Sequence, residues 1–172
     1  MIRFLAAGAA SLWLAACATL VPPQPLPQLA SAPAAFEMSG RISVRMAERS
    51  EIARLRWTRR GSEDLWIIAS PLGNEVARIR SDAGGAELTG LSEARAASFA
   101  ELTERLLGVP LDPAELASWL HGKVPAQVAG GWEVTLDESQ RAGAVDLARR
   151  LTARRGEVVV RVVVDDYRAL ED

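Results

Sequence analysis

Polar and apolar residues alternate strictly from Phe36 to Arg45. Phe36, Met38, Gly40, Ile42 and Val44 fall on one face, and Glu37, Ser39, Arg41, Ser43 and Arg45 on the other. Period two with one apolar face predicts a half-buried antiparallel strand. After the polar stretch "AERS", Ala53, Leu55 and Trp57 alternate with Arg54, Arg56 and Thr58 and predict a second strand. The turn sequence "RRGSED" leads to a third strand over Leu65 to Ala69. Glu75 to Arg80 reads as a fourth, and "SDAGG" introduces a short fifth around Ala86-Glu87-Leu88.

The period then changes. Phe99, Leu102 and Leu106 share a helical face, Ser98 and Glu101 have the spacing of a capping box, and Gly108 with Pro110 stops the helix. Asp112 is placed to cap a second helix with Pro113 at its first position. Leu116, Trp119 and Leu120 share its face, and Gly122 ends it. Strand signals return at Trp132, Val134 and Leu136. A closing hairpin is expected from Arg149–Ala153 and Glu157–Asp165 around Arg154-Arg155-Gly156. Its "VVVRVVV" segment is apolar on both faces apart from Arg161 and is expected to be covered on both. The pattern predicts a mainly β domain with two or three short helices. Its antiparallel sheet is strongly curved or nearly closed, and the helices plug the opening. Such a shape suits a binder of apolar ligands.

The first residues obey a different rule. Arg3 precedes an apolar run from Phe4 to Ala16. That run is too short for a membrane span, which needs about twenty residues, but it suits the core of a secretory signal. It ends in Leu14-Ala15-Ala16-Cys17, a pattern like a bacterial lipobox. Cys17, the single cysteine, is the expected lipidation site, with N-acyl and diacylglyceryl groups. An unpaired thiol in an oxidising compartment would be a liability. Ala18 stands where an Asp would favour retention in the inner membrane, so an outer-membrane lipoprotein facing the periplasm of a Gram-negative bacterium is expected. Residues 18–35 hold five prolines and no charge and read as a tether. The division is a signal peptide at 1–16, a lipidated Cys and tether at 17–35, and a folded domain at 36–172.

Composition removes several functions. The formal charge of −2 gives no reason to expect nucleic-acid binding, and one His with one Cys cannot make a zinc cluster or an intrachain disulfide. No nucleophile elbow, triad pattern or Gly-rich phosphate loop is visible, so no catalytic residue, metal or cofactor is assigned and no enzyme is expected. His121, beside a helix-ending glycine, and the pair Asp165-Asp166 read as structural and solvated groups. The second-strand arginines read as solvation of the convex face.

The ordered segments "FEMSGRISV", "LRWTRRG", "LWIIASPLGNEVARI", "AELTG", "LLGVPLDPAELASWLHG", "GGWEV" and "VVVRVVVDDY" resemble the LolB family of outer-membrane lipoprotein receptors. They cover most of residues 36–167. Three features depart from the family pattern: Tyr167 stands in place of a Trp, Ala148 in place of a Pro, and the stretch between Gly122 and Gly131 is short. The resemblance implies an unclosed barrel of about ten to eleven strands with a helical lid over an apolar cavity. It implies a monomer that takes acylated lipoprotein clients from the periplasmic carrier LolA and places them in outer-membrane lipid.

The resemblance also speaks to Ser70-Pro71-Leu72-Gly73, a turn with a leucine where a polar residue is more usual. Pro71, Leu72 and Gly73 match the family's protruding membrane-insertion loop. Ile42, Val44, Leu55, Trp57, Ile67, Ile79 and Leu88, by strand phase, together with Trp119 and Trp132, are the expected lining of the acyl cavity. The alternative is a structural accessory lipoprotein of an outer-membrane assembly complex, which would dock through its sheet over a filled core. An empty apolar hollow on the concave side would separate the two.

Overall fold

A computed structural model describes residues 33–90, 92–124 and 131–171. The signal segment, Cys17 and most of the tether lie outside the described residues. Among the described residues nine antiparallel strands run in chain order as β1 (Ala35–Met46), β2 (Arg49–Arg60), β3 (Glu63–Ala69), β4 (Glu75–Asp82), β5 (Gly85–Gly90), β6 (Ala94–Ala96), β7 (Glu133–Ala142), β8 (Val145–Arg155) and β9 (Val158–Ala169). Between β6 and β7 lie α1 (Phe99–Leu107) and α2 (Pro113–Leu120). The single sheet has the order β6-β5-β4-β3-β2-β1-β9-β8-β7, so β1 is central and β6 and β7 are its edges. The sheet is therefore unclosed. Nine strands are described where about ten to eleven are expected from the sequence. The short β6 was not foreseen, because three residues cannot display a period.

Cross-strand partners point to the same face of a sheet. The register pairs Met38 with Trp57, Trp57 with Trp66, Trp66 with Ile79 and Ile79 with Leu88. One row of large apolar side chains thus crosses five strands on the concave side. On the other flank of β1, Ile42 faces Val162 and Val44 faces Val160. The β1–β9 pairing shifts register between Ser39 and Gly40. There the carbonyl of Val163 approaches so closely that any side chain at residue 40 would collide with it.

The helices form as their caps dictate. Ser98 Oγ accepts from Glu101 N at 3.1 Å, Glu101 Oε2 accepts from Ala97 N at 2.9 Å, and Gly108 ends α1 with φ 72°. Asp112 Oδ1 accepts from the amides of Ala114 and Glu115 at 2.7 and 3.2 Å and starts α2. Thr103 Oγ1 accepts from Leu111 N at 2.8 Å and ties the connection between them back onto α1. Helix α1 packs against β5 and β6, and α2 against β8.

Both helices lie on the concave face. The expectation that "VVVRVVV" is covered on both sides is therefore corrected. Val160, Val162 and Val164 are buried, but Val159 and Val163 are only half-buried and Arg161 is exposed. The helices are enough to cover one face of the sheet, and they cover the concave one.

Candidate functional site: an apolar hollow and a protruding loop

The concave side is packed unevenly. On the α2 side, Trp119 and Leu120 are buried against the sheet, and Trp119 meets Trp132 at 6.3 Å between ring centroids. The indole N–H of Trp132 donates to Pro110 O at 3.1 Å. His121, 0% exposed, follows α2 and bonds at both ring nitrogens: Nδ1 to Ala117 O at 2.7 Å and Nε2 to Tyr167 Oη at 2.8 Å. The carbonyl can only accept, so Nδ1 carries the proton and Nε2 accepts from the tyrosine hydroxyl. Burial lowers the His121 pKa and raises that of Tyr167, so the neutral ring and the protonated phenol suit each other at neutral pH. These two bonds pin the end of α2 to β9.

On the α1 side the packing is incomplete. A hollow of ≈ 210 Å³ lies between α1 and the concave face of β1 to β4. Ile42, Val44, Ile68 and Ile79 line it from the sheet, and Phe99 and Leu107 from the helix. Trp66 also lines it, its ring tilted between those of Trp57 at 4.7 Å and Phe99 at 5.0 Å between centroids. The lining residues Met46, Glu51 and Leu106 form its rim, and Leu106 is 44% exposed although it is a large apolar side chain on a helix. One buried carboxyl outside the hollow's lining is accounted for locally. Asp64 accepts from Trp57 Nε1 at 2.7 Å and from Arg59 at 2.8 and 3.0 Å. Burial nonetheless raises its pKa, while the Trp57 and Arg59 bonds pull it down.

The nine expected lining residues divide into three groups. Ile42, Val44 and Ile79 line the hollow. Leu55, Trp57, Leu88, Trp119 and Trp132 are on the concave side but buried in the packed core, where rings and helices already fill the space around them. Ile67 is corrected. Its cross-strand partners are Arg56 and Arg78, which puts it on the convex face. The segment Leu65 to Ala69 is apolar at every position, so its phase cannot be read from the sequence, and the pairing of Trp57 with Trp66 sets it the other way. Among the lining residues that sequence reasoning missed are Trp66, Ile68, Phe99 and Leu107, and Trp66 lies in the same all-apolar segment as Ile68. Ile68 was hidden by that same phase. Leu107 lies beside a helical face whose other members, Phe99 and Leu106, were legible.

The Ser70–Asn74 loop closes as a β-turn, with Gly73 N donating to Ser70 O at 2.8 Å and Ser70 N to Asn74 O at 2.8 Å. Pro71 takes the position whose φ it pre-sets, and Gly73 adopts φ 95°. Leu72 is thereby held at the tip, 90% exposed. Arg54 Nε braces the turn from β2 by donating to Pro71 O at 3.1 Å. The strands alternate direction, so this loop and the β1–β2 turn that carries the rim of the hollow lie at the same end of the sheet. Asp165 and Asp166 are exposed, and Asp165 pairs with Arg41 at 3.2 Å. Among the described residues no cluster of metal-ligating side chains occurs, and no helix is long and apolar enough to cross a membrane.

A single unclosed antiparallel sheet wrapped around two helices, with an apolar hollow beneath one of them, defines a protein of the open β-barrel class. Residues 34–167 match the family described as outer membrane lipoprotein LolB, and the chain belongs to that family. It is 32% identical to the outer-membrane lipoprotein LolB of Thiobacillus denitrificans over 98% of this chain and 99% of the relative. To that of Chromobacterium violaceum it is 30% identical over 97% and 99%. A solved structure of a LolA superfamily protein from Nitrosomonas europaea covers 83% of this chain and 89% of its own, with a TM-score of 0.42 and 8% identity. The family is one of outer-membrane lipoproteins that act in lipoprotein localization, and is not an enzyme family.

Proposed function

We propose that this protein is a receptor that accepts acylated lipoproteins from the periplasmic carrier LolA in its apolar hollow and inserts them into the outer membrane. The observation that carries this reading is the hollow under α1, whose lining is apolar throughout except at Glu51 and Thr103. A docking scaffold would have no use for it. Acyl burial contributes about 0.8 kcal/mol per CH₂, so a client with several chains exposes apolar surface worth tens of kcal/mol on the same figure and needs an apolar host throughout its passage. Transfer without a nucleotide then requires graded affinity, with the carrier weaker than the receptor and the receptor weaker than the bilayer.

The hollow of ≈ 210 Å³ is smaller than ordinary ligand pockets, which begin at about 300 Å³. Client entry therefore displaces α1 from the sheet. Lipid on Cys17 holds the domain at the membrane, and Leu72 at the tip of its turn enters the acyl region at delivery. The test mixes the soluble domain with LolA carrying a labelled lipoprotein, then adds liposomes. The label is expected to move to the domain and then to the liposomes. With Leu72→Glu it should stop on the domain, because a carboxylate resists the acyl region while a fully buried Leu favours it by roughly 1.5–3 kcal/mol. Label that stays on LolA in the presence of the parent domain refutes the receptor reading.

A further inference from the structure

The convex face beside the Leu72 turn carries a second concavity, of ≈ 710 Å³, that the acyl hollow does not use. Arg41, Arg54 and Arg56 line it together with Ile67 and Gly73, and Glu75 and Asp165 close its sides. The arginines are there by register. Arg54 lies directly opposite Arg41 on the neighbouring strand, and Arg56 opposite Ser39 and Ile67. Like charges placed opposite one another destabilise a sheet, so this arrangement has a cost in the absence of an anion. The pairing is only partial. Arg41 is held by Asp165 at 3.2 Å and Arg54 by the carbonyl of Pro71 at 3.1 Å, while Arg56 makes no ion pair among the described residues.

The position of the groove identifies its ligand. The guanidinium of Arg54 touches the residue next to Leu72, and a headgroup layer is only about 5–8 Å deep on each side of the hydrocarbon core. When Leu72 reaches the acyl chains, the groove stands at the depth of the phosphates. We infer that this arginine-lined groove binds the phosphate of an anionic membrane phospholipid while Leu72 is inserted. The inference rests on the proposed insertion of Leu72 and adds a headgroup contact to it. The apolar tip gives depth, and the groove sets the tilt at which the neighbouring rim of the acyl hollow meets the bilayer. Guanidinium suits this task because its fork matches two phosphate oxygens at once.

The test measures binding of the soluble domain to vesicles of phosphatidylcholine alone and with added phosphatidylglycerol. Arg56→Gln and Arg41→Gln are each expected to weaken binding to the phosphatidylglycerol vesicles about fivefold, the factor that corresponds to about 1 kcal/mol per arginine at an anionic surface. They should change binding to the neutral vesicles little. Arg60→Gln removes the same charge at the far end of β2 and should bind both like the parent. Leu72→Glu should lose binding to both kinds of vesicle. If the Arg41 and Arg56 variants bind phosphatidylglycerol vesicles like the parent while Leu72→Glu does not, the groove is refuted and the insertion loop stands. If Arg60→Gln loses as much as they do, the effect is general charge and the groove is refuted. If Leu72→Glu binds like the parent, the insertion reading itself fails, and the groove inference with it.

Discussion

The two helices occupy the same concave face and begin with equally good caps, yet one closes its half of the barrel and the other leaves a void. Helix α2 buries Leu116, Ala117, Trp119 and Leu120, and His121 then bonds to Ala117 on one side and Tyr167 on the other. Helix α1 buries Phe99, Leu102 and Thr103, leaves Leu106 partly in water and covers an empty apolar hollow with Leu107. Cores are close-packed, and missing contacts are missing stability. The α2 half therefore behaves as the anchor and the α1 half as the part able to yield. The proposed receptor role, opening for an acyl chain without unfolding, would use both.

Truncation should give the largest difference between the halves. Leu120→Ala, in the packed half, is expected to cost 2–5 kcal/mol by urea unfolding, in the range of roughly 2–5 kcal/mol for buried Leu to Ala changes. Leu107→Ala, beside an existing void, should cost about 1 kcal/mol or less, because the surface it loses is already poorly packed. Equal losses would mean that α1 is no looser than α2.

Removing one polar atom from the anchor should come next. Tyr167→Phe leaves His121 Nε2 buried without its donor, a loss of about 1–3 kcal/mol. The partner bond to Ala117 stays, so far-UV circular dichroism should be unchanged while the unfolding midpoint falls.

Filling the hollow should show the opposite pattern. Val44→Trp places bulk into empty space, so stability should stay within about 1 kcal/mol of the parent, below the usual 1–3 kcal/mol for overpacking a filled core. Binding of a fluorescent acyl probe should drop by roughly tenfold, about 1.4 kcal/mol. A variant that still binds the probe like the parent would place the acyl site elsewhere.

The pH response of the anchor comes through His121 and should be the gentlest effect on stability. The folded protein holds His121 below the ordinary value of 6.5, chiefly by desolvation. Below that value the unfolded chain takes up a proton that the folded chain refuses. Stability from this group is thus present above pH 6.5 and declines as pH falls through the lowered value. Asp64 has the opposite sign. Its pKa is raised from 3.8 by burial, so its contribution is present below 3.8 and is lost as pH rises through the raised value. Unfolding midpoints measured between pH 7 and 5, roughly the span over which histidine titrates, should fall in the parent and flatten in His121→Phe.

Much of this molecule was legible in one dimension because short-range physics decides it. Alternation along Phe36 to Arg45 marks a strand wherever that strand is placed. Ser98, Glu101, Gly108 and Asp112 stop and start helices through bonds to their own neighbours, and Pro71 with Gly73 leaves Leu72 no place but the tip of a turn. Family membership was legible for the same reason, since the matching segments are local. What the chain could not state by itself was phase and filling. Ile67 and Ile68 are interchangeable in an all-apolar strand until the pairing of Trp57 with Trp66 sends one to each face. Trp57, Trp119 and Trp132 could equally have lined a cavity or filled a core. Only the packing of rings and helices against the curved sheet shows that they fill it, and that the hollow lies under α1. The arginines of β2 read as simple solvation until register set Arg54 opposite Arg41 of β1 and the turn brought them beside Leu72. Each of these depends on contacts between residues distant in sequence, and in a curved sheet those contacts exist only after every strand has found its neighbour.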